Sequence, residues 1–171
     1  MPTTIFGLPS HPLVVHVAVV LVPLAALSLI GVGWNARWRR RFYLPIMLVS
    51  LGGAAGSFLA KQSGSALRRA LRDAGKQVGS HPQQGNIALV ASGLLAMACV
   101  ALYVYEEHGE RLRAQFGITD RFRLPFDENM TLYALAIPVA LLALVTMVLA
   151  GHSGATLVWK TAGSITPTPT P

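Results

Sequence analysis

Histidine is the residue type whose placement in this chain most clearly indicates chemistry. Four of the five histidines stand at the ends of long apolar runs, where a membrane-spanning segment would meet the headgroup region. An ionisable side chain in such a segment is costly, so its presence indicates a functional role. Imidazole that lacks a neighbouring thiolate or carboxylate suits haem iron, copper or zinc as a ligand. The four candidate ligands are His11, His16, His81 and His152.

The carboxylates are distributed differently, and their distribution argues against the common hydrolytic sites. Six of the seven acidic residues fall between the third and fourth apolar runs, together with His108, and only Asp73 lies on the side of the other histidines. A general acid–base pair, a Ser–His–Asp set and most zinc hydrolase sites need more than imidazole alone. Cys99 is the single cysteine, so a thiolate cluster is excluded as well. The sequence therefore favours a protein that is not an enzyme.

The elements that must position these histidines are long apolar segments. Hydrophobic residues make up 53% of the 171-residue chain and charged residues only 12%, about half of what a soluble domain carries. Four runs reach the roughly 20 residues that a helix needs to cross the hydrocarbon core. The sequence thus predicts an all-α, integral membrane four-helix bundle over residues 1–160 and a disordered Thr/Pro tail at 161–171. The predicted spans are about 12–34, 42–63, 84–105 and 131–151.

The order of the spans predicts that the four histidines share one leaflet. With four spans, the N-terminus, the second link and the C-terminal end lie on one side, and each of the four histidines belongs to one of these regions. Basic loops mark the cytoplasmic side, and the first and third links carry eight cations against six on the opposite side. We therefore expect both termini outside. The net charge of +7 comes from these flanking cations, so the expected partner is the lipid bilayer and not nucleic acid.

The principal hypothesis is a b-type haem site in the outer leaflet, between spans one, three and four. Histidines on facing helices of a four-helix bundle hold cofactors in this way. We expect His16 to be one axial ligand and His152 or His81 to be the other. His11 is expected to be peripheral.

The second span and the link after it add two features, each with a plainer alternative. Small residues recur at positions 52, 56, 60 and 64. This small-residue stripe would allow either close packing against another helix or room for a flat macrocycle. An amphipathic surface helix is predicted to begin at Ser65. Its three arginines would pair with haem propionates or with anionic lipid headgroups. They are Arg68, Arg69 and Arg72.

Two other functions remain open at this point. A non-catalytic membrane scaffold or subunit would use the same histidines for interhelical hydrogen bonds. A copper- or zinc-handling protein would use them as ligands of a bare ion, with His16, His81 and His152 as the leading three.

Three segments of the sequence resemble motifs of one bacterial membrane family. They are Gly7-Leu-Pro-Ser-His-Pro-Leu-Val-Val-His16, His81 with Gly85-Asn86, and Gly151-His-Ser-Gly-Ala-Thr-Leu-Val-Trp159. Together they span nearly the whole chain and resemble the family catalogued as domain of unknown function 2231. The resemblance implies a four-helix domain in the bacterial inner membrane that is sometimes joined to Rieske or cytochrome redox domains. It therefore implies electron transfer with a redox partner protein.

The resemblance places the family's histidines at the same four positions, and the chain departs from it nearby. Ser10 and its neighbours lack a further histidine that many relatives carry before the His-Pro pair. Val17-Ala18 replaces Phe-Pro, and Thr161 stands where relatives often have another histidine.

Overall fold

The computed structural model describes residues 4–5, 8–73, 80–116 and 128–162. Four helices account for almost all of these residues, and two very short strands pair antiparallel ahead of the first helix. The elements are β1 (Thr4–Ile5), β2 (Leu8–Pro9), α1 (Ser10–Val32), α2 (Ala36–Asp73), α3 (His81–Phe116) and α4 (Glu128–Ala162). The first two residues of the predicted tail belong to α4, and residues 163–171 lie outside the described part.

Each of the four helices is long and apolar enough to cross a membrane. Many of their large apolar side chains are exposed, including Val20, Leu27 and Met97. Large apolar surfaces of this kind are explained in a membrane protein by contact with lipid. The prediction of an all-α, four-helix membrane bundle is confirmed.

The segment from Ser65 onward is not a separate surface helix, and that prediction is wrong. It continues α2, whose 38 residues extend about 57 Å and therefore project beyond a hydrocarbon core of about 30 Å. Alanine, leucine and arginine are strong helix formers, and the sequence has no proline between Gly64 and Asp73. The helix therefore has no reason to end at the membrane surface.

The helices form a closed ring in which each packs against the next and α4 packs back against α1. α1 and α3 lie on one diagonal of this ring and scarcely touch. Because successive helices run in opposite directions, α1 and α3 begin at the end where α2 and α4 finish. We call this end the histidine end, and the opposite end, which carries the α1–α2 turn, the arginine end.

Small residues let α2 lie close against α1. A Cβ added at Gly52 would lie 3.2 Å from Leu21, and one added at Gly56 would lie 3.0 Å from Val17. These distances leave no room for a larger residue, so close helix packing accounts for this part of the small-residue stripe. The side chains of α1 occupy the space that a macrocycle would need there.

The two hairpins, α1–α2 and α3–α4, bury the same positions at constant offsets. Buried positions 18, 22, 25, 26 and 29 of α1 recur 70 residues later, at 88, 92, 95, 96 and 99 of α3. Buried positions 43, 46, 50, 53 and 57 of α2 recur 90 residues later, at 133, 136, 140, 143 and 147 of α4. The bundle is thus built from two equivalent hairpins, which repeat in parallel about an axis along the membrane normal.

Candidate functional site

His11, at the start of α1, packs against Ser63 and Gly64 near the far end of α2. Its Nδ1 lies 3.0 Å from Ser63 Oγ. A Cβ at Gly64 would lie only 2.9 Å from His11 Cε1, so the ring can lie there because the position is glycine. We call this Ser-Gly pair a serine–glycine seat.

The second hairpin repeats the arrangement with its own histidine. His81, at the start of α3, has Nδ1 2.8 Å from Ser153 Oγ on α4. A Cβ at Gly154 would lie 3.0 Å from His81 Cε1. The histidines are 70 residues apart and the seats 90 residues apart, which are the offsets that relate the buried positions of the two hairpins. The site therefore consists of two equivalent halves.

The two imidazoles lie next to one another across the centre of the bundle. The ring centroids of His11 and His81 are 6.4 Å apart, and the ring planes are inclined by 71°. Both side chains are half-buried. The ring pair therefore joins α1 and α3, which lie on a diagonal of the bundle and scarcely touch.

The serine hydroxyls determine which imidazole nitrogen carries the proton. Ser63 Oγ lies 3.0 Å from the Ala60 carbonyl oxygen, and Ser153 Oγ lies 2.9 Å from the Ala150 carbonyl oxygen. Each hydroxyl has one proton to donate, which goes to the carbonyl, so it can only accept from the imidazole. Nδ1 of each neutral ring is therefore the donor, and Nε2 carries the free lone pair.

His16 and His152 are not part of this pair, and both side chains are exposed. His16 Nδ1 lies 2.6 Å from the carbonyl oxygen of Pro12, on its own helix. Five residues turn a helix by about 140°, so His11 and His16 cannot present their side chains to the same partner. The positions of these two histidines differ from the expectation. His11, predicted to be peripheral, contacts His81, whereas the side chain of His16 lies outside the imidazole pair.

Two further features border the imidazole pair. Arg68 and Arg69 are exposed on the part of α2 that follows Ser63, and the side chain of Arg72 lies outside the described part. Gln84 follows His81 by three residues and so lies on the same face of α3. Its Oε1 is buried and has no hydrogen-bond partner among the described residues. The histidine end therefore holds one unsatisfied acceptor in addition to the two imidazoles.

The number of protein ligands at this site is small. Among the described residues, no group of three or more histidine, cysteine, aspartate or glutamate side chains is placed to hold a metal ion. The histidine end therefore offers two imidazoles and, on the face shared with His81, an amide oxygen.

A family model described as a predicted membrane protein, DUF2231, matches residues 7–167 of the chain. The chain belongs to this family. Neither the curated proteins nor the solved structures contain a match to it. The matched residues include all four helices and both serine–glycine seats, so the DUF2231 domain and the bundle coincide.

The DUF2231 bundle has a second polar cluster, at the arginine end, that sequence analysis did not single out. Arg39 is only 5% exposed, and its Nη1 donates to the Gly33 carbonyl oxygen at 2.9 Å. Arg39 Nε lies 3.8 Å from Glu106 Oε2, and Arg40 Nε lies 3.5 Å from Glu106 Oε1. The order of the helices along the sequence already places Arg39 and Glu106 at the same end of the bundle. This placement could have suggested that the two residues form an ion pair.

Two tyrosines at equivalent positions complete this cluster and differ in their bonding. Tyr133 donates its hydroxyl to the Ile30 carbonyl oxygen, which joins α4 to α1. Tyr43 is its counterpart in the first hairpin, and its hydroxyl is buried without a hydrogen-bond partner in the part of the chain described. The two halves of the bundle therefore have equivalent imidazole contacts at the histidine end and differ at the arginine end.

Proposed function

We propose that this DUF2231 protein binds haem b between His11 and His81 and transfers electrons at the membrane. The observation that supports the proposal is the pairing of two imidazoles from different hairpins, each oriented by a serine through Nδ1. A histidine that ligates a metal is oriented in this way by a hydrogen bond from its other ring nitrogen. The free lone pair of each ring is then on Nε2, the atom available to iron.

The separation of the rings suits two ligands on opposite sides of one ion. A metal–imidazole bond is about 2 Å long, so two such rings have centroids about 6 Å apart in a linear arrangement and about 5 Å apart in a tetrahedral one. The observed separation is 6.4 Å. Haem iron takes two axial ligands in line, whereas a structural zinc site takes four ligands from the protein. Spacing and ligand number therefore favour haem iron over zinc.

Two exposed arginines near the pair would suit the propionate groups at the edge of a haem. Arg68 and Arg69 are exposed on α2, just beyond the seat formed by Ser63 and Gly64. Guanidinium groups form strong bidentate hydrogen bonds with carboxylates, so they suit haem propionates. The basic α1–α2 turn favours a cytoplasmic arginine end in a bacterial inner membrane. In this orientation both termini and the haem lie on the outer side, where a redox partner would dock.

Haem retention by four single variants tests the proposal. The protein is purified in detergent from cells supplied with haem, and the molar ratio of haem to protein is measured for each variant. His11→Ala and His81→Ala each remove an axial ligand and should abolish retention. His16→Ala and His152→Ala are the matched controls and should leave retention unchanged. Full retention by His11→Ala would contradict the proposal.

Elemental analysis of the same samples separates haem from a bare ion. Iron in a ratio of one per chain, matching the haem content, supports the proposal. Copper without iron would instead assign the two imidazoles to a linear copper(I) site and would overturn the haem proposal. The His11→Ala and His81→Ala samples serve as controls for ion that is bound elsewhere.

A second function, that of a non-catalytic scaffold, is supported by the same hydrogen bonds. The bond from His11 to Ser63 joins α1 to α2, and the bond from His81 to Ser153 joins α3 to α4. Interhelical hydrogen bonds in membranes contribute about 0.6 kcal/mol on average. A scaffold should contain no haem when it is purified from haem-supplied cells. Its His11→Ala variant should lose only about this much unfolding free energy.

A further inference from the structure

The α1–α2 hairpin carries an open groove at the arginine end that is independent of the imidazole pair. Its volume is about 670 Å³, and apolar side chains of both helices line it, among them Leu24, Val32, Ile46 and Val49. The groove runs from the α1–α2 turn along the hairpin, on a part of the surface that faces the hydrocarbon core. A groove of this kind suits an acyl chain.

Two arginines stand at the mouth of this groove. Arg37 and Arg41 line it together with Trp38, and their spacing of four residues places them on one face of α2. Both side chains are exposed, and neither forms an ion pair with any described residue. The Arg41 guanidinium carbon lies 5.8 Å from the centroid of the Phe42 ring, which holds the charge against the groove wall. Their neighbours Arg39 and Arg40 differ, because these two pair with Glu106.

The α3–α4 hairpin has an equivalent groove that provides an internal comparison. It is lined at positions 98, 101, 102, 132, 135, 136 and 139. Each of these is the counterpart of a position that lines the first groove, at the offsets of 70 and 90 that relate the two hairpins. The second groove is much smaller, at about 140 Å³. Where the first mouth has Arg37, Trp38 and Arg41, the sequence of the second hairpin has Asp127, Glu128 and Thr131.

We propose that the α1–α2 groove binds one anionic phospholipid, with its phosphate at Arg37 and Arg41 and an acyl chain along the apolar lining. Charge complementarity selects an anionic headgroup, because two unpaired cations stand at the mouth beside the N-terminus of α2. The apolar lining selects a lipid over a free phosphate. The acidic residues at the equivalent positions of the other hairpin explain why only one of the two grooves is a lipid site.

Titration of the delipidated protein with defined lipids, followed by native mass spectrometry, tests this proposal. The probes are dioleoyl phosphatidylglycerol and dioleoyl phosphatidylcholine, which share their acyl chains and differ in headgroup charge. Each arginine near a membrane surface contributes about fivefold to anionic lipid affinity, so R37Q/R41Q should weaken phosphatidylglycerol binding about 25-fold. The charge-matched control is K61Q/R111Q, which changes two exposed cations that do not line the groove and should bind as the unaltered protein does.

A second variant tests the groove separately from the charges. Gly31 lines the groove, and a Cβ added there meets no atom within 4 Å. Gly31→Phe should therefore fold normally and block the acyl chain while both arginines remain, so that phosphatidylglycerol binding is lost. Equal binding of the two lipids, or equal loss in R37Q/R41Q and K61Q/R111Q, would overturn the proposal. Unchanged binding by Gly31→Phe would overturn it as well, as would displacement of lipid by a second copy of the chain in the groove.

Discussion

The two ends of the DUF2231 bundle are held together by different kinds of polar contact. At the histidine end the contacts are neutral and come in equivalent pairs: each hairpin contributes one imidazole, one serine hydroxyl and one glycine. At the arginine end the contacts have no counterparts in the other hairpin and include charged ones, with a buried guanidinium between a carbonyl and a carboxylate. The same two hairpins are thus alike at one end and unlike at the other.

On the proposed function, this difference indicates where the two halves would need to be equivalent. On the proposed function, a cofactor held by two imidazoles would need both halves, so a change in either serine–glycine seat would weaken its binding. At the arginine end the equivalent positions differ: Arg39 corresponds to Asn129, and the bonded hydroxyl of Tyr133 corresponds to the unbonded one of Tyr43. Each contact there joins one particular pair of helices, so it needs no counterpart.

Removal of the buried charge at the arginine end should have the largest effect on stability. Arg39→Ala leaves Glu106, which is only 10% exposed, without its buried partner, and should lower the free energy of unfolding by about 3 kcal/mol. Arg40 contacts the same carboxylate, but its side chain is 82% exposed. Arg40→Ala should therefore cost less than about 1 kcal/mol. Unfolding titrations in detergent and SDS measure both, and equal losses would show that burial of Arg39 is unimportant.

Substitution by alanine should change the free energy of unfolding in opposite directions at two glycines near the α1–α2 turn. A Cβ at Gly33 would overlap the ring of Tyr133, whereas one at Gly31 meets nothing within 4 Å. Gly33→Ala should lower the free energy of unfolding by about 1–3 kcal/mol through overpacking. Gly31→Ala should raise it by about 0.5–1 kcal/mol, since alanine is the better helix former. A loss in both variants, measured by the same titration, would contradict the packing of Tyr133 against Gly33.

The smallest expected changes in the free energy of unfolding test most directly whether the two hairpins are equivalent. Ser63→Ala and Ser153→Ala each remove one interhelical hydrogen bond at the histidine end, which is worth about 0.6 kcal/mol. Because the two seats are equivalent, the two losses of unfolding free energy should agree with each other. Ser65→Ala is the control, since among the described residues the Ser65 hydroxyl bonds the Gln62 carbonyl oxygen of its own helix and no other helix. A large difference between Ser63→Ala and Ser153→Ala would show that the two seats are not equivalent.

Sequence reasoning could identify the spans and the common leaflet of four histidines, because both follow from the order of apolar runs. It favoured His16 over His11 as a ligand, although both stand at the same membrane entry, because the sequence of one helix does not show which residues of the neighbouring helices it contacts. The signal for that choice was a repeated Ser-Gly pair. Ser63-Gly64 begins 52 residues after His11, and Ser153-Gly154 begins 72 residues after His81. Only the packed bundle shows that these pairs meet His11 and His81.

Electron paramagnetic resonance of the oxidised, haem-loaded protein tests the central claim most directly. Two imidazoles held by one ferric ion would make it low-spin, and rings inclined as His11 and His81 are, by 71°, would give the strongly anisotropic signal of crossed ligand planes. That signal should disappear in His81→Ala and persist in His152→Ala. A high-spin ferric signal in the unaltered protein, or a low-spin signal that survives in His81→Ala, would contradict ligation by this pair.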